Sequence, residues 1–222
     1  MMDKERLEVL IELTERSLLS ELRLYSVNVG DPIHVGHTPN GWELLGAGNY
    51  AAVFAHHDHQ DVAVKVYAPD REGWNSEKNV YLHLGDHHSY SACYYAGVYE
   101  GHSYLLLRRL SGKTMYQCLL EGIRIPENII TDIDQALDYA RERGLNPHDV
   151  HGKNVMISSE GRGIVLDVSD FLKQERCLMW DDLKRAYNRI YKPFLSNYPV
   201  AIPEWMMNGV RKVYRWRRGS SS

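Results

Sequence analysis

A chain of 222 residues is long enough to bury a core as one domain or two small lobes, and its 44% hydrophobic and 25% charged residues are an ordinary globular balance. A formal charge of −3 argues against a basic footprint spread over the whole domain, as nucleic-acid binding would need. The longest apolar runs fall far below the roughly 18 residues of a membrane span. Asp3, Lys4, Glu5, Arg6 and Glu8 put charge where a signal peptide needs an apolar stretch. Cys93, Cys118 and Cys177 are odd in number and far apart, so they read as thiols of a reducing cytoplasm. No membrane partner is expected.

In chain order, residues 3 to about 25 read as a helix that Asp3 can cap, with Leu7, Ile11, Leu18 and Leu22 near one stripe and Thr14 in its gap. A turn-rich stretch runs from Val29 to Gly41. Three short strands follow, Trp42–Leu45, Ala51–Ala55 and Val62–Tyr67. A helix at Ser76–Leu84 is closed by Gly85. Strands at Ala92–Tyr99 and Ser103–Arg109 come next, and from Gly112 the pattern turns helical. Pro126 fits the first turn of a long helix striped by Ile130, Ile133, Leu137 and Ala140 and ended by Gly144. A loop then leads to a hairpin, Val155–Ile157 with Ile164–Leu166, and the remainder is mainly helical. Strands first and helices second is an α+β pattern of two lobes. The expected division is residues 1–41 as N-terminal helix and linker, 42–110 as a small antiparallel-sheet lobe, and 111–222 as a mainly helical lobe.

Gly46 and Gly48, between two strands, let backbone amides approach a bulky anion such as a phosphate; a plain hairpin turn is the alternative. In Val62-Ala63-Val64-Lys65-Val66, alternation puts Ala63 and Lys65 on one face. A lysine inside an apolar strand snorkels, finds a counter-charge or serves a ligand phosphate. Glu77 begins the stripe that continues at Tyr81 and Leu84, so its carboxylate faces the core and needs a cation. Lys65 is the nearest cation able to reach it, and Glu72 is the lesser alternative to Glu77. Farther on, Asp149, Asn154 and Asp167 stand five and then thirteen positions apart, gathered at one end of the predicted hairpin. Two oxygen ligands for a hard cation, plus a third carboxylate to orient a hydroxyl, are what phosphoryl transfer requires.

These residues, in this order, make residues 42–190 resemble the protein-kinase-like superfamily, and most closely the short kinase-like chains of bacilli described as serine/threonine kinases. The resemblance implies a two-lobed fold with a shortened C-terminal lobe, and an enzyme that moves the γ-phosphoryl group of ATP to a hydroxyl with Mg²⁺. It implies Lys65 on the phosphates with Glu77 orienting it, Asp149 at the substrate hydroxyl, and Asn154 and Asp167 on the metal. Val53 and Ala63 would roof the adenine beside Leu107, and Arg108–Leu110 would be the hinge. His151 and Asp182, with Asp181 as the alternative, would support the catalytic loop.

The chain departs from the family pattern in ways that bear on substrate. Pro147-His148-Asp149 replaces His-Arg-Asp, and Asp167-Val168-Ser169 replaces Asp-Phe-Gly. Only 15 positions separate Asp167 from Asp182, leaving little activation segment, and Ser169 is the one hydroxyl residue in that interval. A constitutively competent enzyme is therefore expected. Asp149-Val150-His151 resembles the aminoglycoside and choline phosphotransferases, so a small-molecule kinase is one rival and a catalytically dead nucleotide-binding scaffold another. His56-His57-Asp58-His59 reads as a solvated hairpin tip rather than a metal cluster. Residues 211–218 carry five cations among aromatics; an exposed basic end is the simple reading and an anionic partner the alternative.

Overall fold

The computed structural model describes residues 2–25, 31–69, 71–197 and 200–219, with backbone alone at 210, 211, 213–215 and 217–219. Helix α1 (Lys4–Leu13) runs on as π-wound turns over Thr14–Leu19. Asp3 precedes it, but its backbone carbonyl rather than its side chain receives the first N–H, from Leu7 at 3.0 Å. Of the expected stripe, Thr14, Leu18 and Leu22 are buried, while Leu7 and Ile11 are half-buried against the same cluster, which Leu10 fills. The helix nevertheless stops early. Arg23–Tyr25 is strand β1, paired antiparallel with β2 (His34–His37) inside the stretch expected to be turns. Residues 29 and 30 of that stretch lie outside the described residues.

Strands β3 (Trp42–Ala47), β4 (Ala51–His56), β5 (Val62–Tyr67), β6 (Cys93–Tyr99) and β7 (His102–Arg108) form one antiparallel sheet in the order β3-β4-β5-β7-β6. Period-two alternation divides its side chains cleanly. Ala52, Phe54, Val62, Val64, Val66, Tyr104 and Leu106 pack under α1 with Leu10, Leu18 and Leu22. The opposite face carries Ala51, Tyr67, Leu105 and Leu107 into a second core, shared with helix α2 (Trp74–Leu84) and the rest of the chain. Helix α2 ends where expected, at Gly85, whose φ of 62° suits a residue without a Cβ. Polar ties fix the π-wound continuation of α1 to the sheet: Trp42 Nε1 donates to Ser17 Oγ at 2.9 Å, and the Tyr104 hydroxyl to Glu15 at 2.7 Å.

The chain past Gly112 first forms a short strand, β8 (Gly112–Thr114), not a helix. Gly112 has φ 154° and lies so close to Ile157 O that a Cβ would sit 2.1 Å away, so only glycine fits that pairing. Helix α3 (Met115–Glu121) starts behind a capping box between Thr114 and Gln117. Helix α4 (Asn128–Glu142) begins two residues after Pro126, which stands just ahead of the first turn instead of within it. Its buried face includes Ile130, Ile133, Leu137 and Ala140, as the stripe predicts. Strands β9 (Val155–Ser158) and β10 (Gly163–Val165) make the expected hairpin and complete a sheet β10-β9-β8. Helix α5 (Met179–Ala186) continues as π-wound turns over Tyr187–Leu195, and α6 (Glu204–Gly219) follows. Among the described residues no helix is long and apolar enough to cross a membrane.

Three histidines are held neutral by burial: His56, edge-on to Trp42; His87, stacked on Tyr139 at 3.8 Å; and His102. Their folded pKa values lie below the ordinary 6.5, so the unfolded chain takes up protons first as the solution is acidified. Stability contributed by the neutral rings is present above about pH 6.5 and is lost as pH falls below it. Melting followed from about pH 7.5 to about pH 5.5 is expected to show a falling midpoint, with a smaller fall in His87→Gln. An equal fall in both would remove His87 from the account.

Candidate active site

The face of β5 turned away from α1 carries Ala63, Lys65 and Tyr67, as the alternation predicts. Register places Val53 opposite Lys65 on β4, and Leu107 opposite Ala63 on β7. From α2, Glu77 reaches the same face. Lys65 Nζ bonds both its oxygens, at 2.8 and 2.6 Å, and lies 3.6 Å from Asp167 Oδ1. The Tyr67 hydroxyl also donates to Glu77. The Glu77 side chain is 1% exposed and that of Lys65 14%, so water does little to screen the pair. Burial opposes the Lys65 ammonium, but Asp167 and Glu77 outweigh it and hold its pKa above the usual lysine value. Burial pushes the Glu77 carboxyl up against the pull of Lys65. Burial would do the same to Asp167, yet Lys65 and the Ser169 N–H, 3.0 Å from Oδ1, keep it below the ordinary carboxylate range. Glu77, not Glu72, is the partner of Lys65.

Gly46 and Gly48 sit where β3 turns into β4. Neither has a positive φ, and a Cβ on Gly46 would meet nothing within 4 Å, while one on Gly48 would meet only Ala51 O at 3.9 Å. The turn itself does not require glycine there; open space is what the two residues provide. Gly48 N–H closes the turn on Ala51 O at 2.9 Å, and its carbonyl accepts from Ile33. Arg108 ends β7. Its guanidinium binds Asp86 and the carbonyls of His87 and Tyr90, and its N–H goes to Ala92 O. Leu110 follows between Arg109 and β8.

The loop after α4 brings the other residues in. Asp149 has φ 57°, a left-handed backbone unusual outside glycine, and the surrounding bonds hold it there. Its N–H donates to Cys177 Sγ at 3.4 Å, and its carbonyl accepts from Asn154 Nδ2 at 3.0 Å. Leu166 N–H to Asn154 O, at 2.9 Å, ties Asn154 to the residue before Asp167. Burial raises the Asp149 carboxyl, only partly offset by His151, whose Nε2 is 3.7 Å away. The Asp167 carboxylate and the Asn154 amide oxygen are hard donors of the kind Mg²⁺ takes. Asp182 lies in the first turn of α5, with its carboxylate 3.2 Å from Arg185. Among the described residues no three His, Cys, Asp or Glu side chains gather for a metal; His56 ends β4, and residues 57–59 lie in the turn that follows it.

Sequence reasoning missed several contributors. Phe171, fully buried edge-on against Tyr90, places an aromatic just beyond Asp167-Val168-Ser169, which lacks one. Tyr67 on Glu77 was findable, since it shares the Lys65 face by alternation. Asn146 and Cys177 carry no such pattern. At the basic end, Lys212 is exposed, while the side chains of Arg211, Arg215, Arg217 and Arg218 lie outside the described residues.

Fold and constellation together define a kinase-like phosphotransferase architecture. No protein-family model matches the chain. It is 34% identical over 175 residues to a Bacillus subtilis (strain 168) protein named "Putative serine/threonine-protein kinase YrzF", covering 78% of each chain. Among solved structures, the apo form of PpkA-294 superposes with a TM-score of 0.50 at 18% identity, over 72% of this chain and 66% of that one. A mutant of the Mycobacterium tuberculosis PknI kinase domain gives 0.46 at 21% identity, over 65% and 63%. The chain thus spans just under two thirds of each of those two solved chains. It belongs to the protein-kinase-like superfamily.

Proposed function

We propose that the protein is an ATP- and Mg²⁺-dependent phosphotransferase acting on a hydroxyl, in the first instance a serine or threonine of a protein. The observation that carries this reading is Lys65, charged, bonded to both oxygens of a buried Glu77 and 3.6 Å from Asp167. So costly a buried array is more than a fold needs, because an apolar trio would pack as well. Val53, Ala63 and Leu107 bound the adenine space. The Arg108 and Arg109 N–H groups are taken, by Ala92 O and Asp61 O, and Arg108 O already accepts from Ser91 Oγ at 2.8 Å, so the adenine edge falls to the Leu110 peptide and the second lone pair of Arg108 O. The Gly48 N–H is taken by Ala51 O, so the phosphates fall to the other amides of the turn tip, with the open space over Gly46 and Gly48 admitting them, and to the Lys65 ammonium. Asn154 and Asp167 would hold Mg²⁺, which would supply positive charge against the transferred phosphate. Asp149 accepts the proton of the acceptor O–H as that oxygen bonds to the γ-phosphorus and the bridge to ADP breaks.

Retention of all five polar residues speaks against a dead scaffold. His151 beside Asp149 favours a small hydroxylated acceptor as the second reading. With Cys93, Cys118 and Cys177 all free thiols, the reducing, ATP-rich cytoplasm is the proposed setting. ATP consumption against a panel of basic proteins and hydroxylated small molecules separates the two acceptors; no consumption with any would favour the scaffold.

Nucleotide binding has its own test. Mg-ATP at about a hundred times its Kd should stabilise the folded chain by about 2.7 kcal/mol, which raises Tm by roughly 5–10 °C for a chain of this size. Asp167→Asn should lose the part of that shift that depends on Mg²⁺. A parent protein that is folded and unmoved by Mg-ATP would count against the whole reading.

A further inference from the structure

The segment between Asp167 and α5 has no regular secondary structure over residues 173–178, and residues 173–176 are exposed. It nevertheless runs along the catalytic loop, and one side chain holds it there. Asn146, three residues before Asp149, donates from Nδ2 to Lys173 O at 2.7 Å and to Glu175 O at 3.0 Å. Its backbone N–H donates to Phe171 O at 2.8 Å. Both side-chain partners are carbonyl oxygens, so the amide must present its NH₂ to them. Farther along, Cys177 Sγ accepts the N–H of Asp149 itself. The segment that Asn146 fastens therefore ends on the peptide of the proposed base.

In a switched kinase, a phosphate on the activation loop pairs with an arginine before the catalytic aspartate and orders the segment. Here that position is His148. Its Nδ1 lies 3.9 Å from Asp170, whose carboxylate is already paired with Lys173 at 2.7 Å. The ordering comes from the neutral amide. We propose that Asn146 is a positioning residue: it fastens the segment after Asp167 to the catalytic loop permanently, doing the work of a loop phosphate. This rests on the phosphotransfer reading above.

Asn146→Asp keeps the shape but turns an acceptor toward two carbonyls, so it should undo the fastening. Asn146→His keeps an N–H at the same distance from Cβ and should restore part of it. Two measurements on the full chain decide: Mg-ATP hydrolysis, with water as acceptor, and amide hydrogen exchange of residues 172–177. Asn146→Asp is expected to lower kcat at least about tenfold with KM for Mg-ATP within about twofold, since Asn146 is not proposed to touch nucleotide. Exchange of the segment should speed up about tenfold or more, and Asn146→His should recover part of both. Unchanged exchange in Asn146→Asp, or fast exchange with parental kcat, would overturn the proposal. A parent chain that hydrolyses no Mg-ATP overturns the phosphotransfer reading, and exchange alone then decides whether Asn146 fastens the segment.

Discussion

Asp149→Asn is expected to lower kcat by about 10²–10⁴ while leaving KM for Mg-ATP within about twofold, because a positioned base contributes that much and Asp149 is not proposed to touch nucleotide. The substitution keeps the shape of the side chain. Both bonds that hold the left-handed peptide, from its N–H to Cys177 and from Asn154 to its carbonyl, belong to the backbone of residue 149, so the loop should keep its course. What changes is the ability to take a proton. The working form is the carboxylate, so the parental rate should fall as pH drops through the Asp149 pKa. Burial lifts that pKa, so the acid limb should lie above the range of an ordinary aspartate. Steady-state rates across pH check both parts: the limb should vanish in Asp149→Asn. Parental turnover in that variant would remove Asp149 from the chemistry.

The second large effect is on stability. Lys65→Met is expected to cost about 3–5 kcal/mol, because it leaves the Glu77 carboxyl buried without its cation. The loss should depend on pH in a direction the geometry dictates. Without Lys65, burial alone raises the folded pKa of Glu77 above its unfolded value. The folded chain then keeps its proton where the unfolded chain has released one. The variant is therefore least destabilised below the unfolded carboxylate pKa, and loses stability as pH rises toward the raised folded pKa. Urea unfolding of parent and variant at about pH 5 and about pH 8 measures this. Adding Glu77→Leu should recover much of the loss, since removing both partners is cheaper than removing one. A single variant equally stable at both pH values would mean that Glu77 ionises in the fold as readily as in the unfolded chain, with no raised pKa.

How much of this could be read from the residues depends on range. The Lys65–Glu77 pair was readable because two local periods, two in a strand and 3.6 in a helix, each set one polar residue on a core face. Asp149, Asn154 and Asp167 were readable because a short hairpin gathers them. Strand β1 was not, because Leu24 and Tyr25 continue the apolar character of the helix before them, and only pairing with β2 across the turn decides their state. Strand β8 was hidden for the same reason, its partner being β9 some forty residues later. The start of α3 did carry a signal: Thr114 and Gln117 have capping-box spacing. Asn146 could not have been singled out, since an asparagine near a turn is ordinary and its two carbonyl partners lie in a segment without pattern.

The cover that α1 places on the sheet also has a consequence in time. Leu10, Leu18 and Leu22 need Phe54, Val64, Tyr104 and Leu106 to bury them, and the bond from Tyr104 to Glu15 closes 89 residues of chain. Synthesis runs N-terminus first at roughly 5–20 residues per second, so the amphipathic helix waits on the order of 4–20 s beside the ribosome before its last partners emerge. During that interval its apolar stripe is open to other chains. Contacts this distant in sequence also slow folding once synthesis ends, because the loop must close before any contact rewards it. A helix made before the strands that cover it is thus secured only after they have all emerged.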